Sequence, residues 1–179
     1  EYHERIRLRL SYLSEKTNEI NEIFHIFPRR DDLAPGVIRC CVQVLKGDPG
    51  LKKLDSGEEQ WRVVVVNLRS SPPRALILLP TDTNAGAFPT TANILTNGGS
   101  FEMRFEMVPP DQRAQLQPGE ALRTLVLFDK DPATKTHGFA RLVKVIDGEL
   151  VSDFRERIRA TTLLPEKDFD RARLVILQA

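Results

Sequence analysis

Near the middle of the chain, Phe101-Glu102-Met103-Arg104-Phe105-Glu106-Met107 places apolar side chains at every odd position and charges at every even one. Neighbours along a strand point to opposite faces, so this alternation predicts a half-buried strand. Trp61-Arg62-Val63-Val64-Val65-Val66-Asn67-Leu68 is apolar on both faces toward its end, which predicts a strand lying centrally in a sheet. Pro72-Pro73 turns the chain into Ala75 to Leu79, and Asn97-Gly98-Gly99 joins Asn93 to Thr96 to the alternating segment. Val37 to Leu45 is rich in β-branched residues and closes at Gly47-Asp48-Pro49-Gly50, again reading as a strand and a turn. Ala121 to Phe128 and Gly138 to Ile146 follow. Asp147-Gly148 is read as a hairpin turn returning along Glu149 to Phe154, Asp153 to Thr161 as strand or short helix, and Ala172 to Leu177 as a last strand.

The first residues carry a different period. Ile6, Leu10, Leu13, Ile20, Phe24 and Phe27, with Thr17 in the gap, repeat at steps of three and four and predict an amphipathic helix that Pro28 ends. Such a helix packs on its own domain, joins an intermolecular coiled coil, or forms a stalk. The expected organisation is therefore a helix over residues 1–28, a β-sandwich over 37–146 and a β-rich C-terminal extension over 147–179. The fold class is mainly β: an immunoglobulin-like antiparallel sandwich with an N-terminal amphipathic α-helix.

Charge narrows the set of partners. The 179 residues hold 26 Lys+Arg against 25 Asp+Glu, a net charge of +1. Nucleic-acid binding draws its affinity from a surplus of cations, so none is expected. The chain contains no apolar run of roughly 20 residues that could cross a bilayer as a helix. It opens on Glu1 without Met, and membrane association is expected only through a segment outside it.

Cys40 and Cys41 are adjacent, and neighbours on a strand face opposite ways, so both are read as free thiols inside a strand. That leans toward a reducing, cytoplasmic compartment, with membrane association left open. His3, His25 and His137 fall at no metal-ligand spacing, and no second Cys pair exists, so neither metal nor cofactor is expected. Asp129 and Asp131 could offer oxygens to Ca²⁺, but Lys130 and Lys135 oppose it. The sequence has neither a G-x-S-x-G elbow nor an H-E-x-x-H helix, and a thiol in an apolar strand is ordinarily inert, so no catalysis is expected.

Two local features resemble the immunoglobulin-like and fibronectin type III-like sandwiches of bacterial accessory domains. One is Val63 to Leu68 followed by Pro72-Pro73 and a further aliphatic strand; the other is the turn Leu116-Gln117-Pro118-Gly119-Glu120 leading into Leu122 to Phe128. The resemblance spans roughly residues 37–129 and implies an accessory module. The inter-sheet Cys pair of antibody-type members is missing. The expected function is a non-enzymatic interaction or structural subunit of a larger assembly, homo- or hetero-oligomeric, with Ile20, Phe24, Phe27 and Phe88 as candidate protein contacts. The alternative is a small-ligand or nucleotide-binding sandwich or barrel with Arg29 and Arg30 on the anion; Asp55-Ser56-Gly57 resembles the PilZ arrangement only loosely, lacking its spacing.

Overall fold

The computed structural model describes residues 5, 7–13, 20–32, 34–47, 61–68, 72–78, 101–128, 136–162 and 164–176. Its elements in chain order are β1 (Leu8–Leu13), β2 (Ile20–Ile26), α1 (Ala34–Gly47), β3 (Trp61–Asn67), β4 (Arg74–Leu78) and β5 (Phe101–Met107). A 3-10 turn at Pro110–Gln112 then leads to β6 (Glu120–Phe128), β7 (Thr136–Ile146), α2 (Val151–Thr162) and α3 (Glu166–Arg171). The expectation of a mainly β protein with two sheets holds. The strands expected at 61–68, 75–79, 101–107, 121–128 and 138–146 are all present, within a few residues at their ends.

Five strands form one sheet in the order β2-β1-β5-β3-β4, and β6 with β7 forms another. The larger sheet is mixed: β1 runs parallel to β5, with Leu10 opposite Met103, while every other pair is antiparallel. This corrects the expectation of antiparallel pairing throughout. Two antiparallel strands, a helix, and three further strands that bring the last beside the first form a β-grasp arrangement. The order β6-β7-α2 repeats the strand-strand-helix order of β1-β2-α1.

The N-terminal helix expected over 1–28 is replaced by β1 and β2 in the described residues. Leu8, Leu10 and Tyr12 alternate with Arg7, Arg9 and Ser11, and their apolar face meets Phe105 and Met103. Period two and period seven share enough positions in this stretch that Leu10 and Phe24 fit both. Burial against β5 selects the strand.

The reverse exchange occurs at 37–45, where a strand was expected and α1 is found. Val37, Ile38, Cys41 and Val44 lie on one helical face and pack on the sheet. Pro35 occupies the first turn, where its missing N–H costs nothing, and Lys46 lies in the last turn. Strand propensity in the β-branched residues yields to this tertiary packing. Gly36 fits closely here, because a Cβ would stand 2.7 Å from the Asp32 carboxyl carbon and that side chain would have to shift.

Three cores result. The first lies between α1 and the large sheet, centred on Leu10, Val63, Val65 and Phe105, with Tyr12 stacked on Phe105 at 5.0 Å between centroids. A second joins the two sheets face to face: Val64, Val66 and Ala75 against Ala140 and Leu142, with Leu122 and Val126 beside them. Sheet-on-sheet packing is thus present, and the α1 core lies on the opposite face of the large sheet. In the third, Ile158 and Phe169 pack on Val143.

That third core overturns the expected β extension over 147–179. Asp147-Gly148 is a turn, with Gly148 at φ 79°, but it leads into α2 instead of a returning strand. Phe154 and Ile158, four residues apart, place one helical face on the hairpin. Residues 172–176 carry no regular secondary structure.

Candidate interaction face

The large sheet has one face under α1 and another that is covered over only part of its width. On the covered part, β3 and β5 present Arg62, Arg104 and Glu106 to the second sheet, all three buried. Arg62 Nε donates to Glu106 Oε1 at 3.1 Å, and Arg104 Nε lies 3.4 Å from Glu106 Oε2 without forming a hydrogen bond. Arg62 also donates to Gln112 Oε1 at 2.6 Å, and the Gln112 amide donates to the Leu142 carbonyl at 2.9 Å. Arg104 reaches the Ala140 carbonyl. Burial pulls the Arg104 pKa below its ordinary value, and Glu106 works against that shift. The network ties β3 and β5 to β7. The charges at even positions of β5, expected in water, are therefore divided: Glu102 is exposed, while Arg104 and Glu106 lie beneath the hairpin.

Beyond the hairpin, the same side of the sheet continues onto β1 and β2. Leu8 pairs with Ile26 and Arg9 with His25, and an isolated bridge pairs Arg5 with Arg29. The register therefore places Arg7 opposite Phe27. Arg5, Arg7, Arg9, His25, Phe27 and Arg29 share one face and are all exposed, Phe27 by 52%. Arg7 contacts His25 Nε2 at 3.2 Å; a guanidinium can only donate, so this imidazole nitrogen accepts. Arg5 donates to the Phe27 carbonyl at 2.9 Å. Among the described residues no carboxylate pairs with the side chains of Arg5, Arg7, Arg9 or Arg29.

The family model for the C-terminal region of ubiquitin-specific proteases matches residues 1–179, the whole chain. The chain belongs to the ubiquitin-specific protease C-terminal family. A curated relative, ubiquitin carboxyl-terminal hydrolase 7 of Caenorhabditis elegans, is 35% identical over 65 residues. That alignment covers 36% of this chain and 6% of the relative, so the chain spans a small part of that protein's length. The relative is a nematode protein, and the comparisons lend no support to the bacterial origin suggested by the sandwich resemblance.

Within this family member the expected contact residues separate. Phe27 is exposed on the face just described, whereas Phe24 packs inward with its ring 6.0 Å from that of Phe105. Ile20 stands opposite Leu13 at the start of β2. Phe88 lies outside the described residues. Arg29 closes the basic row and Arg30 is exposed beside it. Reading the stretch as a helix hid Arg7, Arg9 and His25, although Arg5, Arg7 and Arg9 recur at every second residue, the period of a strand face.

Neither cysteine has the environment of a nucleophile. Both are free. Burial pushes the Cys41 thiol up to about 12, with the neighbouring Cys40 adding to the shift. Cys40 is also raised, by burial first and Asp32 second. A reactive cysteine needs the opposite displacement.

Proposed function

We propose that this chain is a non-catalytic accessory module of a ubiquitin-specific protease, and that it acts by binding protein surfaces. The observation carrying the proposal is the match of the C-terminal family model to the entire chain. The raised thiols agree with a module that leaves bond cleavage to another part of the polypeptide. The buried network agrees with a rigid spacer, since it fixes the hairpin on the large sheet and leaves the β1–β2 end of that sheet open.

The experiment compares hydrolysis of a fluorogenic ubiquitin substrate by the parent protease with and without this region, and adds the isolated region back. Deletion is expected to change the rate or the capture of protein partners, and the region alone is expected to release no fluorophore. Turnover by the region alone that disappears on Cys40→Ser would overturn the proposal. An unchanged rate together with unchanged partner capture on deletion would also overturn it.

A further inference from the structure

The six exposed side chains on β1, β2 and the residues flanking them form three cross-strand rows: Arg5 with Arg29, Arg7 with Phe27, and Arg9 with His25. Like charges directly opposite one another destabilise a sheet, yet Arg5 and Arg29 are such a pair. Four arginines elsewhere are neutralised by carboxylates. Arg157 pairs with Glu149 at 2.7 Å and Arg159 with Glu156 at 2.8 Å, and Glu106 lies between Arg62 and Arg104. In a chain whose overall charge is only +1, a row of arginines with no carboxylate partner among the described residues is a local concentration of positive charge. It surrounds an exposed Phe27 ring, and a half-exposed aromatic among cations is a usual composition for a protein contact.

From this arrangement we infer that the open face of β1 and β2 binds an extended acidic protein segment. Its alternate Asp or Glu side chains would meet Arg5, Arg7 and Arg9, and an apolar residue would rest on Phe27. Two observations support that occupant. Charge complementarity favours an anion, since no carboxylate of the described residues reaches these guanidinium groups. Spacing favours an extended peptide: alternate residues on β1 repeat at about 6.7 Å, the interval at which alternate side chains of another extended chain recur on one side. The near-neutral total charge speaks against nucleic acid as the occupant, because binding to a long polyphosphate draws on a wider surplus of cations. The inference rests on the reading of this chain as an interaction module and identifies the partner's chemistry.

The test is fluorescence anisotropy of the full chain with a short labelled peptide of alternating Glu and Ser around one Leu, at low and at physiological salt. Binding that weakens with salt is expected. Arg7→Gln combined with Arg9→Gln should weaken it roughly tenfold at low salt, since two exposed charge pairs are lost. Phe27→Ser should weaken it further, and Arg173→Gln, exposed in the C-terminal segment, should leave it unchanged. These positions are solvent-facing, and melting curves within a few degrees of the parent verify that the variants fold. Equal binding by the double variant, or no binding by the parent chain at low salt, would refute the inference. Tighter binding of a single-stranded oligonucleotide or of phosphatidylserine vesicles through Arg7 and Arg9 would refute it in favour of another anion class. A failed peptide titration beside an intact effect of the region on the parent protease removes this site alone, and the module reading stands.

Discussion

At Glu106 two guanidinium groups share one buried carboxylate, and the energetics of this site depend on which group is removed. Taking away the carboxylate strands Arg62 and Arg104 in a low-dielectric layer, so Glu106→Ala is expected to cost about 3–5 kcal/mol in urea unfolding. Replacing Arg62, Arg104 and Glu106 together by Met and Leu side chains of similar volume should be close to neutral, because the desolvation penalty disappears along with the attraction. The cysteines are legible in part: adjacency implied free thiols, and both are free, but they sit on a helix. The Cys41 thiol lies well above its ordinary 9.0, at about 12, so the folded protein holds its proton where the unfolded chain releases it. Its contribution to stability is intact below about pH 9 and is lost as pH rises toward 12. Unfolding followed across that window should show a decline that Cys41→Ala reduces.

Among the elements, the two exchanges of helix and strand have one physical origin. Residues 8–13 and 37–45 each offer apolar positions compatible with more than one period, and each takes a form that packs its apolar face into the core of Phe105, Val63 and Val65. Local turns were more legible. Gly119, in the turn before β6, sits at φ 83°, and the Glu120 carboxylate accepts from the Gln117 N–H at 2.7 Å. That hydrogen bond, ahead of one from Lys144, holds the Glu120 pKa below the ordinary range. Gly119→Ala and Gly148→Ala are each expected to lose about 1 kcal/mol, measured by thermal unfolding, because a Cβ disfavours the left-handed conformation. Gly36→Ala acts by contact instead: its Cβ would meet the Asp32 carboxylate, and the loss should shrink when Asp32→Ala is added.

For the molecule as a whole, the decisive feature is how β6 and β7 attach to the large sheet. Val64, Val66 and Ala75 meet Ala140 and Leu142, the Ala75 N–H donates to Thr124 Oγ at 3.1 Å, and Gln112 bridges Arg62 to the Leu142 carbonyl. The two parts are expected to unfold together. Trp61, the single tryptophan, reports on the large sheet, and circular dichroism includes α2. Ala140→Asp would bury an unpaired carboxylate at this junction and should separate the two transitions, with coincident curves as the contrary result.

The amino-acid sequence alone determined the mainly β character, the central strand at 61–68, the alternating strand at 101–107, the turns at Gly119 and Gly148, and the balanced charge. These follow from the local chain: period two, β-branched side chains, and glycines at turn positions. Only the tertiary structure decided whether ambiguous apolar stretches became helix or strand, which charges on β5 were buried, and that Arg5, Arg7 and Arg9 would share one face with His25, Phe27 and Arg29. Each of those outcomes depends on a partner surface distant in the chain, and burial against it outweighs the small differences in local propensity.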